Sequence, residues 1–482
     1  MRRFLILMFI ILSTSCARSP SDSESDYYLE LDHIRENKKG ELIQYMEMID
    51  NTISSIKDDG PLIDSFELID MTYNSYKNNA EIPKNDISLN EIEAIIQESY
   101  LDRFMIFDNI LFINKDGDVF YSLKKKSPLL ENIFQSEYQN SELSKNLMSN
   151  PLTPAVDFGL FSKDDPSAFF IYPVIKNSEH LGWCAFQFSS NRLETLFSKE
   201  TGLGKTGEIF MVNENSYMLT DSSFFPEASV LKLHLSDENI SSKFSEGMGH
   251  KKIIDYRGYE AITSFEVLSL YNLNWLLIAK IDLDEIITND FLKNKDEYYS
   301  IIKKKSLNIQ KTFFEGISFN EYSNEVSLDQ FKRISGNENI YTHGVSTCTA
   351  VIITLPEKFS YLAHISAYDS LYEGNSTDLI SNMFDRIKKY EIPDYLLREL
   401  KIYVITPQIR FTQNIIEKLV NEGIFLSQIF FVKNKNASYA NVYHDLSSGD
   451  TYVEWKMDTG EMRIEDLNAI SNIGEIIGEY ES

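Results

Sequence analysis

The run Ile110-Leu111-Phe112-Ile113-Asn114-Lys115-Asp116-Gly117-Asp118-Val119-Phe120-Tyr121-Ser122 decides the fold of the N-terminal half of the chain. Two apolar segments flank Asp116-Gly117, and Asp-Gly between two such segments is a strong signal for a β-hairpin. Two further apolar runs, 168–174 and 182–188, are spaced for a second hairpin. The pattern therefore predicts an antiparallel sheet.

Helical patterns precede these strands. Apolar residues recur at helical spacing over 27–59, and two more helical patterns cover 62–77 and 89–107. Gly60-Pro61 separates the first pattern from the second, because glycine and proline are unfavourable inside a helix. We expect a long N-terminal helix that leads into a strand-rich domain.

Length and charge limit the possible functions. A chain of 482 residues is too long for one ordinary core, so it should form two or three domains. The formal net charge of −27 argues against a nucleic-acid partner, since phosphate binding requires clustered lysine and arginine. Three cysteines far apart in sequence predict no disulfide framework.

The first 16 residues have the layout of an export signal. Met1-Arg2-Arg3 is positively charged, Phe4 to Leu12 is apolar but too short to span a bilayer, and small residues lead to Cys16. This resembles a bacterial lipoprotein signal, which implies that Cys16 is acylated; the alternative is a plain secretory signal. We expect a signal peptide at 1–15, a tether at 16–26, and a lipid-anchored chain in the cell envelope, outside the cytoplasm.

The pieces from residue 27 to 290 occur in a recognisable order. They are Asp116 to Ser122, Asp157-Phe158, Pro166 to Phe169 with Pro173-Val174, Gly202 to Val212, Met218 to Ser222, and Trp275 to Asp282. This series resembles the double Cache family of extracytoplasmic sensor domains. The resemblance implies two PAS-like antiparallel-sheet modules and a small-molecule ligand. Residues that could face such a pocket are Tyr121, Asp157, Tyr172 and Gln187.

Neither the ligand nor a cofactor follows from this segment. The Arg-x-Trp-Tyr run of the amino-acid-sensing subgroup is missing between Lys126 and Pro151, which leaves the ligand open. The glycines of 202–207 resemble a dinucleotide loop, but a strand pattern follows them where a helix is required. We therefore expect no cofactor.

The C-terminal part has one candidate for chemistry. Cys348 precedes the β-branched run 349–355, and a second strand pattern, 361–367, contains His364. A short turn at Pro356-Glu357-Lys358 would make the two strands antiparallel neighbours and bring Cys348 near His364. A neighbouring imidazole is the usual means of forming and holding a thiolate.

Thr342-His343-Gly344-Val345-Ser346-Thr347-Cys348 and Ala363-His364 resemble the signature of CheD, the chemoreceptor glutamine deamidase family. The resemblance implies an α/β sandwich at 315–482 in which Cys348 is the nucleophile, His364 its base and Thr342 the residue that orients the base. It also implies a protein substrate with an exposed glutamine. Ser346 replaces a glycine of the signature, and Ile365-Ser366-Ala367 replaces its Met-Leu-Pro. Residues 291–314 are predicted to form a linker helix.

Non-catalytic interpretations of Cys348 and His364 remain open. Cys348 could be a small buried apolar residue, and His364 could be a core histidine with both nitrogens satisfied. The C-terminal domain could then be a docking module without catalysis; a weaker alternative is a peptidase or transglutaminase-like activity of the same pair. Cysteine and histidine lack zinc-site spacing, so we expect no metal. The chain as a whole is predicted to be α+β and multidomain.

Overall fold

The computed structural model shows two compact units, residues 27–282 and 283–482. Cys16 and the predicted signal peptide lie outside the residues that the structure describes. The described residues are 20–77, 87–124, 129–135, 137–162, 165–188, 193, 195–197, 202–225, 227–305, 323–367, 378–407, 412–468 and 470–481.

The described helices of the N-terminal unit are α1 (Pro20–Ile56), α2 (Gly60–Lys77), α3 (Ile87–Ile96), α4 (Glu142–Ser149) and α5 (Asp237–Glu246). Its strands are β1 (Phe107–Asn114), β2 (Val119–Ser122), β3 (Ala155–Ser162), β4 (Asp165–Lys176), β5 (Glu179–Phe188), β6 (Glu208–Asn213), β7 (Met248–Ile254), β8 (Glu260–Leu270) and β9 (Leu273–Asp282). A π-helical turn, Gln97–Asp102, continues α3. The third helix was predicted to extend to residue 107, but Phe107 is the first residue of β1, so the prediction placed its end too late.

Two antiparallel sheets organise this unit. The first has strand order β2-β1-β5-β4-β3, and the second has the order β6-β9-β8-β7. The Asp116-Gly117 hairpin joins β1 to β2 as predicted, with Gly117 at φ 89°, a conformation that glycine adopts without strain. Helix α1 contacts both sheets, because Arg35 donates to Ser264 of β8 and Asp50 accepts from Tyr172 of β4.

The C-terminal unit contains the described helices α6 (Leu283–Lys293), α7 (Lys295–Lys305), α8 (Leu379–Arg386), α9 (Thr412–Asn421) and α10 (Ile473–Glu481). Its strands are β10 (Asn324–Glu325), β11 (Gln330–Ser335), β12 (Asn339–Val345), β13 (Thr349–Leu355), β14 (Phe359–Ile365), β15 (Lys401–Thr406), β16 (Ile429–Lys433), β17 (Ala437–Asp445), β18 (Thr451–Met457) and β19 (Met462–Asp466). The two strands predicted around Pro356-Glu357-Lys358 are β13 and β14.

The ten strands that the structure describes in this unit form two sheets, with orders β10-β12-β17-β18-β19 and β11-β14-β13-β15-β16. Alternate residues of β13 lie in different cores, because strand side chains point to opposite faces. Ile352 lies in the core between the two sheets, whereas Val351 and Ile353 lie in the core between the second sheet and the helices. The unit is therefore a layered sandwich of sheet, sheet and helices.

The first part of the predicted linker helix, residues 291–314, packs against the C-terminal unit. Phe291 of α6 and Tyr298, Tyr299 and Ile302 of α7 are buried in the helix-side core of the C-terminal unit. The described part of the predicted linker, 291–305, thus contributes to that unit's core, and residues 306–314 lie outside the description. The predicted fold class, α+β with a long N-terminal helix and antiparallel sheets, is confirmed.

Candidate functional site

The β13–β14 hairpin determines where Cys348 and His364 lie. Ala350 pairs directly with His364 in the strand register. Cys348 is two residues before Ala350 and therefore projects to the same face, as a diagonal neighbour of His364. That face is the interior between the two sheets, against which Cys348 packs. The structure thus places the predicted nucleophile and base on the same face of one sheet.

Thr342 reaches His364 from the opposite sheet. It lies on β12, its side chain is fully buried, and its Oγ1 is 2.8 Å from His364 Nδ1. The same hydroxyl donates to the Val326 carbonyl oxygen at 2.7 Å. A hydroxyl has one proton, so Thr342 Oγ1 must accept from an Nδ1–H of His364. This contact fixes the neutral tautomer that has its lone pair on Nε2.

That lone pair has no hydrogen-bond partner. His364 is only 4% exposed, and its Nε2 is buried without a hydrogen bond. Burial lowers the pKa of His364 and outweighs the opposing charge of Asp329. A buried unsatisfied nitrogen costs stability and is uncommon in a folded core. His364 therefore differs from the core histidine with both nitrogens hydrogen-bonded, which the sequence also allowed.

His444, in the same unit, is a buried histidine with both ring nitrogens hydrogen-bonded. Ser360 donates its hydroxyl proton to Thr354, so the 2.8 Å contact between Ser360 and His444 Nε2 requires the histidine to donate. The opposite nitrogen, Nδ1, is 2.9 Å from Thr451 Oγ1 and accepts from it. Both buried histidines donate a hydrogen bond from one ring nitrogen, but the second nitrogen accepts a hydrogen bond in His444 and has no partner in His364.

His444 should make the C-terminal unit sensitive to acid. Burial lowers its pKa from 6.5 to about 4, so between these values the unfolded chain binds a proton that the folded chain does not. Stability is therefore present above pH 6.5 and is lost as the pH falls towards 4, by about 3 kcal/mol for this group. Urea unfolding at both pH values should show a smaller acid-induced loss for His444→Gln than for the wild type; equal losses would contradict this assignment.

Cys348 is only partly buried, and its surroundings favour the protonated thiol. Burial raises its pKa, and hydrogen bonds from Thr347 and from the backbone of Ser346 and Ala367 only partly oppose this. His364 Nε2 has no hydrogen-bond partner, so the sulfur and this nitrogen are not hydrogen-bonded to each other. Burial thus favours the neutral thiol over the thiolate at Cys348, and it favours the neutral imidazole at His364.

Two residues near this pair were not predicted from the sequence. Thr347 hydrogen-bonds the sulfur, and Asp329 acts electrostatically on both Cys348 and His364. Asp329 also accepts from the Ser366 amide and donates its own amide to the His364 carbonyl at 2.7 Å. Only the register of β11 beside β14 brings Asp329 to this place, so local sequence gave no signal for it.

The four predicted ligand residues of the N-terminal unit lie on two faces of the first sheet. Asp157 and Gln187 are in one cross-strand row, with Phe169 between them. Phe169 belongs to the core beneath α4, and Asp157 accepts from the Leu143 amide in that helix. Ser144, a fully buried residue of α4 that the sequence did not suggest, has a hydroxyl without a hydrogen-bond partner.

Tyr121 and Tyr172 are in a second row, across Phe112 and Cys184. This row is on the opposite face, where Tyr172 donates to Asp50 of α1 and Phe112 contacts Phe66 of α2. The Tyr121 hydroxyl is buried without a hydrogen-bond partner. The structure thus brings Asp157 and Gln187 to the face beneath α4 and the two tyrosines to the face that packs against α1 and α2, so the four do not form one site.

Searches of protein-family models and of curated proteins found no match. Solved structures similar to part of the chain include an extracellular ligand binding receptor from Desulfohalobium retbaense, at 12% identity and a TM-score of 0.35, over 52% of this chain and 40% of that one. Another is the ligand binding domain of a Pseudomonas aeruginosa amino acid chemoreceptor in complex with L-Arg, at 15% identity and a TM-score of 0.33, over 55% of this chain and 97% of that one. A third is the periplasmic sensory domain of a Campylobacter jejuni chemoreceptor, at 13% identity and a TM-score of 0.35, over 53% of this chain and 96% of that one.

Within the described part of the chain, no helix combines the length and hydropathy that crossing a bilayer would require.

Proposed function

We propose that the C-terminal unit is a cysteine amidohydrolase that converts glutamine side chains of a protein to glutamate. In the same proposal, the N-terminal unit binds a small ligand, and the chain is anchored outside the cytoplasm through a lipid on Cys16. The observation that carries the catalytic part is the free, buried Nε2 of His364, held in its basic tautomer by Thr342 on the same interior face as Cys348.

The reaction begins from the neutral pair. As the Cys348 sulfur attacks the carboxamide carbon, its proton passes to His364 Nε2. An S–C bond forms, and the π electrons of the C=O bond move to the oxygen, which becomes an oxyanion. The imidazolium then protonates the amide nitrogen. The C–N bond breaks as the C=O bond re-forms, ammonia departs, and the substrate remains bound to Cys348 as a thioester. Water attacks that thioester while His364 again accepts the proton. The C–S bond then breaks, and His364 returns the proton to the sulfur, which releases glutamate and restores the thiol. Backbone N–H groups of 346–348 could stabilise the oxyanion.

The ligand-binding part rests on polar groups beneath α4. The buried Asp157 carboxylate, Gln187 in the same row and the unsatisfied Ser144 hydroxyl are polar groups in an otherwise apolar core. A few polar groups in an apolar setting are typical of small-molecule sites. This agrees with the resemblance of residues 27–290 to extracytoplasmic sensors.

A second candidate function is a docking module without catalysis. The resting site favours it in one respect, because burial raises the pKa of Cys348 and no hydrogen bond joins its sulfur to His364 Nε2. The two candidates differ in one measurable product. Incubation of the full chain with a glutamine-rich protein such as casein should release ammonia and deamidate individual glutamines, detected by peptide mass spectrometry. Glutamines that stay unmodified across a panel of such proteins would favour the docking module.

Thr342 should act as a positioning residue. Replacing it with valine removes the acceptor for His364 Nδ1–H, which should lower kcat by roughly tenfold or more with little change in KM, as expected for one lost buried hydrogen bond. Thr342→Ser retains the hydroxyl and should restore most of the rate. A Thr342→Ser variant as slow as Thr342→Val would show that the methyl group's packing, and not the hydrogen bond, matters.

A further inference from the structure

Asp329 places an exposed carboxylate beside the candidate site of the C-terminal unit. It directly precedes β11, the edge strand next to β14, and residues 327–330 are all exposed. Its amide donates to the His364 carbonyl at 2.7 Å, and its Oδ1 accepts from the Ser366 amide at 2.9 Å. These two hydrogen bonds hold the carboxylate at the end of β14 that adjoins the site.

The backbone at Asp329 also fixes the position of this charge. Its φ of 55° is in the left-handed region, which aspartate and asparagine adopt more readily than most residues. The Gln330 amide donates to the Ser327 carbonyl at 3.2 Å and closes the turn around Asp329. Asparagine can therefore replace aspartate here with the same backbone conformation.

The carboxylate is close to both reacting groups. Ser366, whose amide it binds, directly precedes Ala367, and the backbone of Ala367 hydrogen-bonds the Cys348 sulfur. Of the described charged residues, Asp329 is the one that acts on both Cys348 and His364, and its negative charge raises the pKa of each. A group that approaches the sulfur from solvent therefore meets this charge.

The two cations of β11 leave that charge in place. Arg333 forms an ion pair with Glu391. Lys332 pairs with Leu362 in the strand register, towards the end of the β13–β14 hairpin that is remote from Cys348. Within the described residues, Asp329 forms no ion pair. An exposed charge of this kind attracts cations to the site and repels anions.

We propose that Asp329 makes the site select glutamines that have a lysine or arginine close by in the substrate protein. This inference rests on the proposed deamidation and adds the class of substrate. A charge at the rim of a site acts on the encounter with the partner, so it should affect kcat/KM at low ionic strength and lose its effect as salt is added.

A pair of charged thiol reagents measures the effect of Asp329 without any substrate. The full chain is treated with the cationic trimethylammonioethyl methanethiosulfonate or with the anionic sulfonatoethyl methanethiosulfonate, and modification of Cys348 is followed by peptide mass spectrometry. Both reagents react with the same thiolate, so the ratio of their rates cancels any change in the pKa of Cys348.

Asp329→Asn should lower the ratio of the cationic rate to the anionic rate. Across about 7 Å of water a unit charge changes the local concentration of a monovalent ion roughly threefold, so the ratio should fall at least threefold at low salt. Asparagine keeps an oxygen that can accept from the Ser366 amide, and the turn should persist. A ratio that is the same in the wild type and in Asp329→Asn would overturn the proposal.

Glu357 provides the matched control. It is an exposed carboxylate with a left-handed φ of 65°, in the turn at the far end of the β13–β14 hairpin. Glu357→Gln removes the same charge from the same sheet and should leave the reagent ratio unchanged. An equal fall in both variants would show that net charge governs the ratio, which would refute the assignment to Asp329.

Two peptides test the selection itself. They are identical except for lysine or glutamate on both sides of a single glutamine. At low salt the wild type should deamidate the lysine peptide at least three times faster in kcat/KM, and Asp329→Asn should bring the two rates together. Equal rates in the wild type would overturn the selection and leave the deamidation standing. Deamidation of neither peptide would overturn the proposed function, and this inference with it, whatever the reagent ratio.

Discussion

Replacing Cys348 with alanine should reduce ammonia release from glutamine-bearing proteins by roughly 10³-fold or more, because no other group in the site can form the thioester. The fold should tolerate the change, since the side chain is only partly buried and loses a single sulfur atom. Ammonia release by a coupled assay and deamidation by peptide mass spectrometry give independent readouts.

Cys184 provides the matched control for that experiment. It is fully enclosed in the N-terminal unit, and burial raises its pKa well above the ordinary range, so it is an inert thiol. Cys184→Ala should cost some stability and leave the rate per folded molecule unchanged. Ammonia release that persists in Cys348→Ala would rule out Cys348 as the nucleophile. Release that disappears equally in Cys184→Ala would mean that both substitutions act through the fold.

Replacing His364 with glutamine should reduce the rate by roughly 10²- to 10⁴-fold, the usual contribution of a general base. Glutamine keeps an amide that can hydrogen-bond Thr342 but supplies no basic nitrogen. The free energy of unfolding should change little, because the wild type already contains an unsatisfied nitrogen at this position. Steady-state kinetics and urea unfolding of the same preparation separate the two effects.

His444→Gln is the control for His364→Gln. Glutamine can donate to Ser360 and accept from Thr451 as His444 does, so activity at neutral pH should match the wild type. A His444→Gln variant as inactive as His364→Gln would mean that both substitutions act through the fold. The difference between the two histidines would then have no bearing on catalysis.

The sequence predicted the secondary structure well where patterns were local. The Asp116-Gly117 turn and the strands on either side of Pro356-Glu357-Lys358 lie where expected, because turn chemistry and a β-branched run are sufficient to specify a hairpin. The shared face of Cys348 and His364 follows from the same hairpin register. Local pattern thus predicted two of the three residues of the candidate site as neighbours in space.

Features that depend on the opposite sheet or on the identity of a face could not be predicted this way. Thr342 reaches His364 across the interior of the sandwich, and only the resemblance to a known signature suggested that contact. Tyr121 and Asp157 face different layers, because alternation along a strand does not indicate which layer covers each face. The neutral state of Cys348 depends on burial, which no motif reports.

The rate of Cys348 alkylation by iodoacetamide, followed by peptide mass spectrometry from pH 6 to 10 around the ordinary thiol pKa of about 8.5, tests the central claim without a known substrate. If His364 accepts the thiol proton, the wild type should react at least ten times faster than His364→Gln at neutral pH, and the two rates should converge at high pH. The fully buried Cys184 should remain unmodified throughout. Superimposable pH profiles for the two proteins would contradict the account.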